Sequence, residues 1–150
     1  MTNKVAGAFA TGVLWLAAAG FAVFGVQWLA HPADMARPLG IVLTNGDATS
    51  DARAVYGGME VGLGLFLAYS AWSLRRRTQG LAAATVVLLC LGLSRFAGIV
   101  AAPGGVTGGT FQLLSTDLGG AALCAVALFV SRSVFPRATS VETKHGGQPA

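Results

Sequence analysis

Long apolar stretches alternate with short polar connections along this chain, at residues 5–29, 51–74, 81–101 and 111–130. Each is long enough to cross a hydrocarbon core of about 30 Å, which takes about 20 helical residues. The pattern predicts an all-α membrane protein, a four-transmembrane-helix bundle over residues 1–132 with a flexible cytoplasmic tail over 133–150. The second stretch opens on polar residues, with Ser50 as a candidate N-cap and Asp51 in the first turn. The first resembles a signal peptide in having Lys4 ahead of it and the small residues Ala17-Ala18-Ala19 inside it. Its apolar run, however, exceeds the roughly 7–15 residues of a signal core, which favours a retained span.

The connections differ in kind. Residues 30–50 carry an apolar island at 39–43 and a turn signal at Asn45-Gly46. The island could lie on the membrane, fold back over the helix ends as a lid, or belong to an ordinary loop. The second loop, Pro103-Gly104-Gly105-Val106-Thr107-Gly108-Gly109, is rich in glycine. It lacks the Gly-Lys-Ser/Thr ending of a phosphate cradle and reads as a flexible connector.

Composition agrees with the membrane reading: 54% of residues are hydrophobic and 11% charged, against about 25% charged in soluble domains. Net charge is +4, but its placement is more informative than its sum. Lys4, Arg75, Arg76, Arg77, Arg132, Arg137 and Lys144 flank apolar stretches, which disfavours nucleic acid as a partner. All of them fall on one side of the predicted bundle, while the opposite loops carry only Arg37. The positive-inside rule then places both termini in the cytoplasm of a protein of the cell membrane. Cys90 and Cys124 fall within apolar stretches and read as small apolar fillers. His31 and His145 have no second metal ligand at suitable spacing, so no metal or other cofactor is expected.

Ionisable residues inside the stretches carry the functional signal: Arg53 and Glu60 in the second, Arg95 in the third, Asp117 in the fourth. Intramembrane charges are rare, usually paired, and mark working sites by default. On an α-helix Arg53, Tyr56, Gly57, Glu60 and Gly64 share one stripe, with Gly58 and Gly62 as a packing pair on the opposite face. At about 1.5 Å per residue, Glu60 lies roughly 13 Å below the outer end of its stretch near Asp51, Arg95 roughly 9 Å below that of its own near Ala101, and Asp117 roughly 9 Å below that of the last near Phe111. These depths predict a polar cluster in the outer half, with Arg53 at its mouth and Tyr56 either lining it or lying in the interfacial aromatic belt. Glu60 is expected to pair with Arg95, and Asp117 with either arginine. The first stretch, poor in polar residues, is expected to be the lipid-facing wall.

Arg53-x-x-Tyr56-Gly57-Gly58, with Arg95 in the third stretch and an acid in the fourth, resembles a family of small bacterial integral membrane proteins of unknown function, related to the DoxX-like group. The likeness spans about residues 5–132, although the family's fourth span more usually carries a glutamate where this chain has Asp117. It implies a four-helix bundle with cytoplasmic termini and supplies no activity.

Several functions remain open on the residues alone. The first is binding, through Arg53, Tyr56, Glu60, Arg95 and Asp117, of a membrane lipid or other small amphipathic molecule in an outward-facing pocket. A partner membrane protein, or a second copy packing on the Gly58/Gly62 face, belongs to the same class. The second is an intramembrane acid–base enzyme, an isomerase or cyclase, with Glu60 as acid, Asp117 as base or cation stabiliser and Tyr56 as orienting donor. A transporter subunit fits less well, because no relay of acids or histidines continues to the cytoplasmic side. The charges could also serve only to fix helix register.

Overall fold

Twenty-eight residues without an internal proline, rich in alanine, form the first helix, α1 (Asn3–Ala30). Its end is dictated by Pro32, because the residue before a proline is pushed out of helical geometry. His31 accordingly adopts φ −132° and ψ 57°. The computed structural model describes residues 3–102 and 104–134; of the predicted tail, 133 and 134 belong to the last helix, and the remainder, with Arg137, Lys144 and His145, lies outside the described residues.

After α1 the chain makes the short helix α2 (Pro32–Ala36), then a single 3-10 turn over Arg37–Leu39. Gly40 ends that turn in the left-handed region at φ 69°, which a residue without a Cβ adopts without strain. Helix α3 (Gly46–Ala52) begins earlier than Ser50 and Asp51 suggest. Its N-cap is Asn45, whose Oδ1 accepts from the Ala48 amide at 2.8 Å. The turn signal at Asn45-Gly46 is therefore a helix start.

Helical structure then continues through a π-helical segment (Arg53–Gly58) into α4 (Met59–Ala71). Only Trp72 and Ser73 separate α4 from α5 (Leu74–Ala101), so the three consecutive arginines lie within α5 and not in a loop. Helix α6 (Gly108–Val134) takes in Gly108 and Gly109 from the predicted flexible connector. The chain is helical throughout its described secondary structure, and three helices, Lys4–Ala30, Leu74–Ala101 and Gly108–Ser133, are long and apolar enough to cross a membrane.

Helix α1 packs chiefly on the π segment and α4, α5 packs on α6, and the two pairs close through α1 with α6 and α4 with α5. The first apolar stretch is thus a central element and not an outer wall. Ala10, Val13, Leu14, Ala18 and Phe21 from α1 form a core with Leu67, Ala71, Leu81, Ala84, Cys124 and Ala127. Outward-facing residues are largely apolar too, among them Val86, Leu93, Phe96, Val100 and Phe129, which suits acyl chains better than water.

Close helix approach explains several glycines. A Cβ on Gly25 would lie 2.7 Å from the Gly57 carbonyl oxygen and 2.8 Å from the Val61 nitrogen. One on Gly64 would lie 2.9 Å from both the Ala18 oxygen and the Ala22 nitrogen. Backbone contact at this range drives helix association where no hydrophobic effect operates. Gly58 and Gly62 are exposed, and a Cβ on Gly62 would meet nothing within 4 Å. The packing face within the chain is therefore Gly57/Gly64, opposite to the one expected.

The two ends are finished differently. At one, Trp28 is fully buried with Ala36 and Ala52, and Leu39 and Leu43 pack against them. Thr107 Oγ1 donates to the Pro38 carbonyl at 3.0 Å, tying the two loops together. The 39–43 island thus folds back as a cap over the helix ends. At the other end Arg77 Nη1 donates to the Gly7 carbonyl at 2.9 Å, and the Arg76 guanidinium lies 3.9 Å from the Tyr69 ring centroid.

Candidate functional site

Between the capped end and the main core, α1, α4, α5 and α6 leave a cavity of about 480 Å³. Its walls are mostly apolar: Val13, Ala17 and Phe21 on α1, Leu88 and Leu91 on α5, and Cys124 on α6. Three ionisable side chains, Glu60, Arg95 and Asp117, also face it. Exposed Leu16 and Gly20 on α1 and Gly119 and Leu123 on α6 form its rim, so it opens sideways between these helices. Gly20 and Gly119 present no side chain at that opening, and a Cβ on either meets nothing within 4 Å.

The cavity is polar at one end only. From Val13 to Phe24, α1 lines roughly 16 Å of it. Val13 and Cys124 belong to the apolar core at one extreme. At the other, Glu60 lies beside Phe24 and Gly25, its Cβ 2.9 Å from where a Gly25 Cβ would stand. Arg95 Nε donates to Asp117 Oδ2 at 2.7 Å across the α5–α6 interface, a charge-assisted bond between side chains 26% and 9% exposed. The pair forms because Gly92, one turn from Arg95, admits α6 closely: a Cβ there would lie 2.5 Å from a Leu118 methyl and 3.5 Å from the Asp117 Cβ.

Glu60 does not join this pair. It is 8% exposed, and its carboxylate has no hydrogen-bond or ion-pair partner among the described residues. Of the expected pairings, Asp117 with Arg95 forms and Glu60 with Arg95 does not, because Asp117 on the adjacent helix takes the guanidinium. Two carboxylates and one guanidinium therefore share one end of the cavity. Among the described residues no three His, Cys, Asp or Glu side chains converge as metal ligands.

Arg53 and Tyr56 line no part of the cavity, and both are exposed. The cause is the π segment, where the Met59 amide bonds to the Ala54 carbonyl, five residues back. Counting back four from buried Gly57 reaches Arg53; counting back five reaches Ala52, which is the residue that is buried. One extra residue in the turn rotates everything N-terminal to it by about 100°. Tyr56 stacks on Trp28 instead, with ring centroids 4.7 Å apart. Phe24, Gly20 and Thr116 line the cavity without having been expected there. The small-residue series Ala18, Ala22, Gly25 in the first stretch was the sequence signal for this central helix face.

Three apolar helices of spanning length mark a multi-pass helical membrane protein. Residues 9–128 match the family described as "Domain of unknown function (DUF4345)", and the chain belongs to that family. No curated protein and no solved structure matches the chain.

Proposed function

We propose that this protein binds a single-chain amphipathic molecule within the membrane, its apolar part along the slot between α1 and α6 and its polar head at Glu60, Arg95 and Asp117. The observation that carries this reading is one-ended polarity in a cavity of about 480 Å³, within the roughly 300–1,000 Å³ usual for small-molecule sites. A sideways opening on an apolar surface lets such a molecule enter from the bilayer. In this reading the run 46–71 is a fourth span, both termini are cytoplasmic, and the protein lies in the cell membrane. Likeness to the DoxX-like group belongs to the same proposal. The exposed Gly58/Gly62 face offers a surface for a membrane-protein partner or a second copy. A thermal-shift screen of detergent-purified protein against single-chain lipids tests the binding reading. Stabilisation by some of these is expected; stabilisation by none would count against it.

One observation favours a second reading, acid–base catalysis on a bound apolar substrate: the Glu60 carboxyl is unengaged and faces the cavity. Glu60 would transfer the proton with Asp117 stabilising charge. Tyr56 takes no part in this version, since it stands on Trp28. Turnover of any substrate found should be lost in Glu60→Gln, and an active Gln variant would exclude the role.

A further inference from the structure

Two acids and one base meet at the polar end of the cavity, and the base is already paired. The remaining acid, Glu60, is more than nine-tenths buried, faces the cavity and has no partner among the described residues. Arg53, which would have balanced the count, stands exposed outside the cavity on the far side of the π turn. We infer that the cavity selects amphiphiles with a cationic amine head, which Glu60 receives. This inference rests on the binding reading above and adds the chemistry of the head group.

Charge balance decides between head groups. An ammonium beside Glu60, Asp117 and Arg95 gives equal numbers of positive and negative groups. A carboxylate head would set three negative groups against one guanidinium, and in a medium of low dielectric constant unbalanced charge is strongly disfavoured. A neutral hydroxyl leaves the balance to Glu60 alone and gains a weaker, uncharged hydrogen bond. A free amine entering from the bilayer takes up the proton of the Glu60 carboxyl, so the acid and the amine become a carboxylate–ammonium pair without drawing on water. The tail has matching accommodation: Val13, Ala17, Phe21, Leu88 and Cys124 extend the slot away from the charged end. One alkyl chain suits a cavity of about 480 Å³. A two-tailed lipid offering the same amine would have to leave its tails in the bilayer.

The test uses the full chain in phosphatidylcholine nanodiscs, titrated calorimetrically with dodecylamine, dodecanol and dodecanoate, with empty nanodiscs as the reference. Dodecylamine is expected to bind at least about tenfold more tightly than the other two, the effect of one charge-assisted hydrogen bond. In Glu60→Gln that preference should vanish, and a helical circular-dichroism spectrum and melting temperature like those of the wild type show that the variant is folded. Dodecanoate or dodecanol binding as tightly as the amine would overturn the inference and leave the binding reading standing. An amine preference surviving in Glu60→Gln would overturn the role of Glu60. Binding of none of the three would remove both the inference and the reading beneath it. Adding phosphatidylethanolamine to the nanodiscs separates the two sources of amine: competition with dodecylamine would assign the head to a membrane lipid, and no competition to a free single-chain amine.

Discussion

Asp117 and Arg95 hold each other between α5 and α6 at 2.7 Å, both largely withdrawn from the surface. Removing one partner of a buried pair leaves an uncompensated charge, which typically destabilises by about 3–5 kcal/mol, whereas replacing both with apolar residues can be nearly neutral. Asp117→Leu alone should therefore lower the melting temperature in detergent much more than Asp117→Leu combined with Arg95→Met. Equal losses in the single and double variants would mean that the pair contributes packing and not charge compensation. Trp28 offers a second contrast. Its indole is fully buried, and Nε1 has no acceptor among the described residues. Trp28→Phe gives up an unsatisfied donor and keeps an aromatic ring against Phe24 and Tyr56, so it should be tolerated, whereas Trp28→Ala should cost about 3–5 kcal/mol. Unfolding of the two variants side by side checks this. Counting depth from the helix ends was enough to bring Glu60, Arg95 and Asp117 to one level. It could not choose Asp117 over Glu60 as the partner of Arg95, because that choice depends on which helix adjoins α5 at Gly92.

Element by element, the π turn between α3 and α4 separates what periodicity could read from what it could not. Below it, Gly57, Glu60, Gly64, Leu67 and Ala71 are buried at helical spacing, as a single amphipathic stripe requires. Above it the stripe is displaced by one residue, so Arg53 faces outward. No local sequence signal distinguishes a π turn from an α turn; it is held by the packing of Trp28, Ala36 and Ala52 above it. Deleting Ala54 should convert the π turn to an α turn with Ala52 four residues before Gly57, still on the buried stripe, and Arg53 still outside it, so thermal unfolding should shift little; a large loss would mean that the extra residue is itself needed. The helix contacts make a sharper pair of variants. Gly25→Ala would drive a methyl into backbone atoms of the π segment and α4, an overpacking expected to cost about 1–3 kcal/mol. Gly62→Ala meets open space and should leave monomer stability equal or slightly higher, by up to about 1 kcal/mol. A loss at Gly62 as large as at Gly25 would mean that the face assignment is reversed, or that a second copy packs there.

For the whole molecule, the apolar pattern made α1, α5 and α6 legible as spanning helices, while the position of α1 at the centre was not. Polarity alone suggested that a stretch poor in polar residues faces lipid. Its alanines and glycines instead let α4 and the π segment approach the backbone of α1. The loop cap was likewise one of several open alternatives, settled only by Leu39 and Leu43 packing against the Trp28 cluster. The central claim concerns the slot between α1 and α6, and Gly20 gives the most direct way to test it. Gly20 lines the cavity, and a Cβ added there meets no atom within 4 Å. Native mass spectrometry of purified wild type and Gly20→Phe, released from membranes under the same conditions, is the measurement. One bound amphiphile per chain in the wild type and none in the stable Phe variant is the predicted result; equal occupancy of the two, or an empty wild type, would contradict the account.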